Sequence, residues 1–156
     1  MPNLSDFTSI KKKVLHTILS DRECVDLITN DSDIRLPAES LLDKQVFLYD
    51  WIDDTVTEAK TFISVDVDVP YVDSIATANF DLFIYIAVHK SLMSMNGEIR
   101  RDALASRIDY LINGNLDFGF AKVELSNVSR FRQGKEFFGR TLVYRVHHYN
   151  RIGDKL

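Results

Sequence analysis

Between Asp81 and His89 the chain carries seven consecutive apolar residues, Leu82 to Val88. A helix that crosses a bilayer needs about 20, so this run is too short for one. Its β-branched and aromatic residues suit a strand, predicted over Asn79 to Lys90. Successive strand residues point to opposite faces, so an unbroken apolar run is apolar on both. Such a strand lies in the middle of a sheet, or has its outer face covered by a helix or a neighbouring subunit. The remaining sequence has to supply the neighbours and the covers.

The first neighbour is clear. From Lys60 to Val69, Ile63, Val65, Val67 and Val69 alternate with Phe62, Ser64, Asp66 and Asp68. That is the pattern of a half-buried strand, and Pro70 is expected to end it. Phe118 to Phe131 reads as a third strand, carrying Val123, Leu125 and Val128. Phe137 to Tyr149 reads as a fourth, with Gln133-Gly134 at the hairpin tip between them.

Helices come from a different period. Phe7, Ile10, Val14, Leu15 and Ile18 recur every three or four residues. Ser20 followed by Glu23 reads as a capping box for a second short helix carrying Cys24, Leu27 and Ile28, broken at Asn30-Asp31-Ser32-Asp33. After the Asn96-Gly97 turn, Ile99, Ala103, Leu104, Ile108, Leu111 and Ile112 form a stripe, with Arg100, Arg101, Asp102, Arg107 and Asp109 directed away. Asn113-Gly114 is its stop. Ile34 to Pro37 reads as a loop anchored on the core, and 40–59 has no clean period.

The expected fold is α+β, a small antiparallel or mixed sheet of about four strands with helices packed on one face. With 156 residues, 46% hydrophobic and 27% charged, the chain suits a single domain over 1–156. Within it, 1–30 holds the N-terminal helices and 60–150 the sheet-plus-helix core. The start lacks the apolar segment of a secretory signal, so an intracellular setting is expected. One cysteine excludes an internal disulfide framework and a cysteine-rich zinc site.

Charge is unevenly distributed along the chain. Residues 1–80 hold seven basic and 15 acidic side chains, a balance of −8, and residues 81–156 hold 12 basic and eight acidic, a balance of +4. Unlike ends steer copies of a chain into head-to-tail contact.

Chemistry-bearing patterns are sparse. Asp66 and Asp68 share a strand face about 7 Å apart, close enough to share a divalent cation. Lys122 and Glu124 stand in reversed order for the usual nuclease set. His147 and His148 are strand neighbours directed to opposite faces, and His16 and His89 lie in other elements. Cys24 sits on an apolar stripe, the place of a packing residue. No phosphate loop or nucleophile elbow is present. No catalytic residue, metal site or cofactor is therefore expected. The loop Arg130-Phe131-Arg132-Gln133-Gly134-Lys135 places three cations and an aromatic at a hairpin tip. Around it Phe118, Phe120, Phe137, Phe138, Tyr144 and Tyr149 are more aromatic surface than one sheet face hides, leaving some for another copy of the chain.

Four segments carry a resemblance: Thr61 to Pro70, Phe83 to Lys90, Ile99 to Asp109, and Phe138 to Val146. Together they resemble small neck proteins of tailed bacteriophages and related prophages, above all tail terminator (tail-completion) proteins. The likeness covers about 45–150 and lies in arrangement and loose phrases; the two helices within 1–40 depart from it. It implies a virion protein, assembled in the host cytoplasm, whose subunits form a hexameric ring. That ring would cap the tail tube and join it to the head, with tail tube and head-closure or adaptor proteins as partners. DNA would pass through the lumen without specific binding. A head-tail adaptor or head-closure protein is the alternative within the class.

The expected contact residues are Arg130, Arg132 and Lys135 on the hairpin and Asp66 and Asp68 on the acidic strand. Two other classes compete with the ring: a metal-dependent nuclease built on Asp66 and Asp68, and a small DNA-binding protein built on Lys11 to Lys13.

Overall fold

A computed structural model describes residues 5–49, 57–71, 77–116 and 123–149. Its elements are α1 (Ser5–Leu19), α2 (Arg22–Thr29), β1 (Val46–Phe47), β2 (Thr61–Tyr71), β3 (Thr77–His89), β4 (Ser94–Met95), β5 (Glu98–Ile99), α3 (Arg100–Ile112), β6 (Val123–Gln133) and β7 (Phe137–Tyr149). Five strands form one mixed sheet in the order β1-β2-β3-β7-β6, and β4 and β5 form a separate two-stranded ribbon. The α+β class holds, with one strand more in the main sheet than the four expected. The extra strand, β1, pairs parallel to β2 at Val46↔Ile63 and Phe47↔Ser64. Two residues are too few to show a period, which is why 40–59 was illegible.

The apolar run sits where it must. β3 has β2 on one side and β7 on the other, both antiparallel. One face carries Phe80, Leu82, Ile84, Ile86 and Val88, all buried with Ile63, Val65, Leu142, Tyr144 and Val146 under the helices. Each large side chain so buried contributes roughly 1.5–3 kcal/mol. The far face has a smaller cluster of Phe47, Phe62, Ala87 and Phe137, with Phe131 packed against it. Both faces of the run are thus covered in part by the chain itself.

Several boundaries move. β2 does not stop at Pro70 but runs to Tyr71, with an irregular register between Asp68 and Tyr71. A register break is where a strand tolerates a residue without an N–H. β6 is described from Val123; Phe118 and Phe120 lie outside the described residues, as do Trp51 and the side chains of His147, His148 and Tyr149. The cap of α2 is Asp21, whose carboxylate accepts the Cys24 N–H at 3.0 Å, and not the expected Ser20. Asn30 ends that helix in the left-handed conformation.

The phase of α3 is also shifted. Arg100 was expected to point away and Ile99 inward; Arg100 is buried and Ile99 exposed. The buried stripe runs Arg100, Leu104, Ala105, Ile108, Ile112. Arg100 donates to the Leu27 carbonyl at 2.7 Å and the Leu92 carbonyl at 2.9 Å. It thereby ties the end of α2 and the segment after β3 to the start of α3, where carbonyls near a helix C-terminus favour a cation. Burial pushes its guanidinium pKa down from the usual value. Among the described residues, no helix is long and apolar enough to cross a membrane.

Candidate functional site

The strand order turns the charge split of the sequence into a spatial one. β1 and β2 come from the acidic half of the chain and lie at one edge; β7 and β6 come from the basic half and lie at the other. β3 separates them. Four inter-strand spacings of about 4.8 Å put the two edges about 19 Å apart.

On the face away from the helices, register lines up Asp68, Asp81, Arg145 and Glu124 in one row across four strands. Arg145 Nε meets Asp81 Oδ1 at 3.3 Å, leaving the row with three acids and one base. The two aspartates singled out from sequence differ in their surroundings. Asp66 Oδ1 accepts from Lys11 Nζ at 3.2 Å and from the Val67 N–H at 2.9 Å, while Lys11 also donates to the Leu48 carbonyl at 3.0 Å. Asp66 is thus bound to α1 of its own chain. Asp68 is exposed. Among the described residues, no three His, Cys, Asp or Glu side chains gather as a metal-holding group.

The hairpin residues separate too. Arg130 pairs in register with Arg140, and Arg132 with Phe138, so both point to the helix side of the sheet. Phe131, one residue out of step, lies on the far face over Gly139, where an added Cβ would fall within its ring. The cations and the aromatic therefore do not form one patch. Arg132 stacks on Phe138 with its guanidinium carbon 4.8 Å from the ring centre. Lys135 sits at the turn beside Gly134, whose φ of +58° favours glycine. Among the described residues, neither Arg130 nor Lys135 makes an ion pair. Arg140 does, binding Asp102 Oδ1 at 2.7 and 3.0 Å. Burial alone would raise the Asp102 carboxyl, but hydrogen bonds from Arg101 and Arg140 outweigh it and hold its pKa below the usual range.

Of the expected aromatic surplus, Phe137 and Tyr144 are buried and Phe131 and Phe138 half-buried, while Phe118, Phe120 and the Tyr149 side chain lie outside the described residues. Phe137 packs at 5.7 Å from Phe62 and at 5.4 Å from the His89 ring. Tyr144 lies buried beneath α3 and donates to Asp109 at 2.8 Å; burial pushes its hydroxyl pKa up. His89 caps the short turn after β3, accepting the Ser91 N–H at Nδ1, and faces Glu136 at 3.4 Å through Nε2.

The exposed apolar surface is elsewhere, in residues the sequence did not mark. α3 lies over β3 and β7 but leaves β6 bare, so Glu124 through Arg130 are all exposed. Leu125 and Val128 (43% exposed) stand there, with Leu116 (63%) just past the end of α3, whereas Tyr110 (74%) stacks on Arg107, whose guanidinium pairs with Asp21 on the α2 side. Asn113 and Asn115 clasp the start of β6 through the Leu125 N–H and the Val123 N–H, which fixes this grouping. At the opposite edge Leu42 and Tyr49 are exposed. There Leu15, Leu19, Leu42 and Leu48 line a groove of about 280 Å³, rimmed by Lys12, His16 and Glu39. That volume is below the roughly 300–1,000 Å³ of small-molecule pockets. Of the exposed large apolar side chains among the described residues, Ile99 and Tyr110 lie away from these two flanks.

Residues 20–146 match the YomW family, whose name comes from a Bacillus phage or prophage gene region. No curated protein matches the chain. The matched range leaves out α1 and its share of the core, and runs from Ser20, just before α2, to Val146 of β7, taking in the sheet, the acidic row and the basic hairpin. The chain therefore belongs to the YomW family and is phage-associated.

Proposed function

We propose that this chain is a structural, non-enzymatic component of a phage or prophage neck. Copies of it form a ring, a hexamer by the resemblance of its sequence to tail terminators. The ring ends the tail tube and joins it to the head, with tail tube and head-closure or adaptor proteins above and below. DNA passes through the lumen without being gripped. The observation that carries the reading is the placement of unlike charge at opposite edges of one sheet. A contact between unlike edges is heterologous, and it closes into a ring when the rotation permits. Arg130, Arg132 and Lys135 of one subunit meet the acidic strand of the next, or of an adjacent ring, through exposed Asp68 and the Asp66 beside it.

The test is charge reversal. Arg132→Glu with Lys135→Glu should leave a folded monomer that no longer assembles, measured by light scattering after gel filtration and by negative-stain images. Normal rings from the double variant would refute this contact. The nuclease reading has its own assay: plasmid incubated with Mg²⁺ or Mn²⁺, with Asp66→Ala as control. Cleavage abolished by that substitution would displace the ring.

A further inference from the structure

We infer that the free edge of β6, from Val128 to Arg132, takes an extended acidic segment of a partner protein as a sixth strand of the main sheet. The inference rests on the neck reading above for the source of that segment, a neighbouring component, and on the molecule alone for its chemistry.

This stretch stands out because the chain blunts comparable edges with its own groups. On the outer side of β2, the Ile63 N–H donates to the Gln45 carbonyl at 2.8 Å and the Gln45 side chain to the Thr61 carbonyl at 3.1 Å. Further along, Asp66 folds back to accept the Val67 N–H and is held there by Lys11. At the start of β6, Asn115 and Asn113 take the Val123 and Leu125 N–H groups, and the Gly114 N–H donates to the Val123 carbonyl at 2.7 Å. Past the register break at Leu125/Asn127, alternation turns the main-chain groups of Val128, Arg130 and Arg132 away from β7. Among the described residues, no strand lies beside them. Such an edge offers a row of unpaired donors and acceptors, to which an extended segment adds main chain to main chain.

The side chains along the edge select the segment. Val128, Arg130 and Arg132 share the helix-side face, exposed, where α3 leaves β6 bare. Among the described residues, Arg130 has no ion pair, and Arg132 stacks only on Phe138. Cross-strand neighbours attract when unlike in charge and repel when alike. A strand laid antiparallel therefore sets carboxylates opposite Arg132 and Arg130 and an apolar residue opposite Val128. Two β6 edges pair poorly, because a register centred on Arg130 sets that residue against its own copy. β2 of another copy does not serve either, since Asp66 already holds its Val67 N–H; its acids reach the hairpin through side chains alone.

The probe is a capped, fluorescein-labelled peptide, Thr-Glu-Thr-Glu-Thr-Val-Thr, which sets Glu, Glu and Val against Arg132, Arg130 and Val128. A second peptide carries Lys in place of Glu. Fluorescence anisotropy with the full chain should show the acidic peptide bound at least tenfold more tightly than the basic one. Arg130→Pro removes an outward N–H without touching the ladder to β7. It should weaken the acidic peptide at least tenfold while circular dichroism stays as in the parent. Arg130→Glu with Arg132→Glu should reverse the preference between the peptides. Should Arg130→Pro fail to fold, methylating the main-chain nitrogen of the Glu opposite Arg130 makes the same test from the peptide side. Equal binding to Arg130→Pro and parent would report attraction between surface charges alone and overturn the inference. So would a parent that refuses the peptide, including one paired through β6 with a second copy and made monomeric by Arg130→Pro. Either failure leaves the neck reading standing, because ring assembly is scored separately by Arg132→Glu with Lys135→Glu. A chain that takes the peptide but forms no ring refutes that reading and not this contact.

Discussion

Asp21 holds more of the helix layer together than its place between two helices suggests. Its carboxylate caps α2 and accepts two hydrogen bonds from Arg107 of α3, at 2.7 and 3.0 Å. The Arg107 hydrogen bond, against the opposing effect of burial, holds its pKa below the usual carboxylate value. A carboxyl whose folded pKa is lowered stabilises the fold fully above its unfolded value, near pH 4, and that contribution is lost as the pH falls through the lower folded value. Asp21→Asn keeps the cap and removes the charge, so it should cost roughly 1 kcal/mol at pH 7 and flatten the loss of stability as the pH falls below about 4. Asp21→Ala removes cap and pair together, about 2 kcal/mol. Urea unfolding at several pH values measures both. Gly139 is a second such position. Gly139→Ala should displace the Phe131 ring and cost about 1–3 kcal/mol in the same assay, because a filled site must shift to admit a methyl group. Neither role was legible in the sequence. Ser20 and Glu23 fit the better-known capping pattern, and nothing local distinguishes a glycine beneath a ring from one in a loop.

At the scale of elements, what could be read was whatever had a period. β3 and β7 declared themselves by apolar content, and β2 by alternation. The three helices followed from spacing and from their Asn and Gly stops. α3 was placed a step out of phase because Arg100 was counted as polar, whereas a guanidinium bonded to two carbonyls behaves as a buried residue. The exposure of β6 was invisible for another reason: it depends on how far α3 reaches across the sheet. The strand makes its own prediction. The Val123 and Leu125 N–H groups face outward to Asn115 and Asn113, so past the register break at Leu125/Asn127 alternation turns Asn127, Ser129 and Phe131 toward β7 and Arg130 outward. Ser129→Pro should therefore break the ladder and cost about 3 kcal/mol or more, while Arg130→Pro should cost about 1 kcal/mol or less. Thermal melts separate the two; a larger loss for Arg130→Pro would mean that the edge is assigned the wrong way round.

For the whole molecule, the charge imbalance could be counted in the sequence but its geometry could not. Only the strand order puts Asp66 and Asp68 of β2 on one side of β3 and Arg130, Arg132, Arg140 and Arg145 of β6 and β7 on the other. Of the expected contact residues, Asp68, Arg130, Arg132 and Lys135 are exposed, whereas Asp66 is bound to Lys11 of its own chain. The apolar members of the two flanks needed the fold to find them. A contact steered by charge responds to salt in a particular way. Raising ionic strength from about 0.05 to 0.5 M shortens the screening length from above 10 Å to about 4 Å. Assembly should slow at least fivefold in time-resolved light scattering, and an unchanged rate would show that charge does not steer the contact.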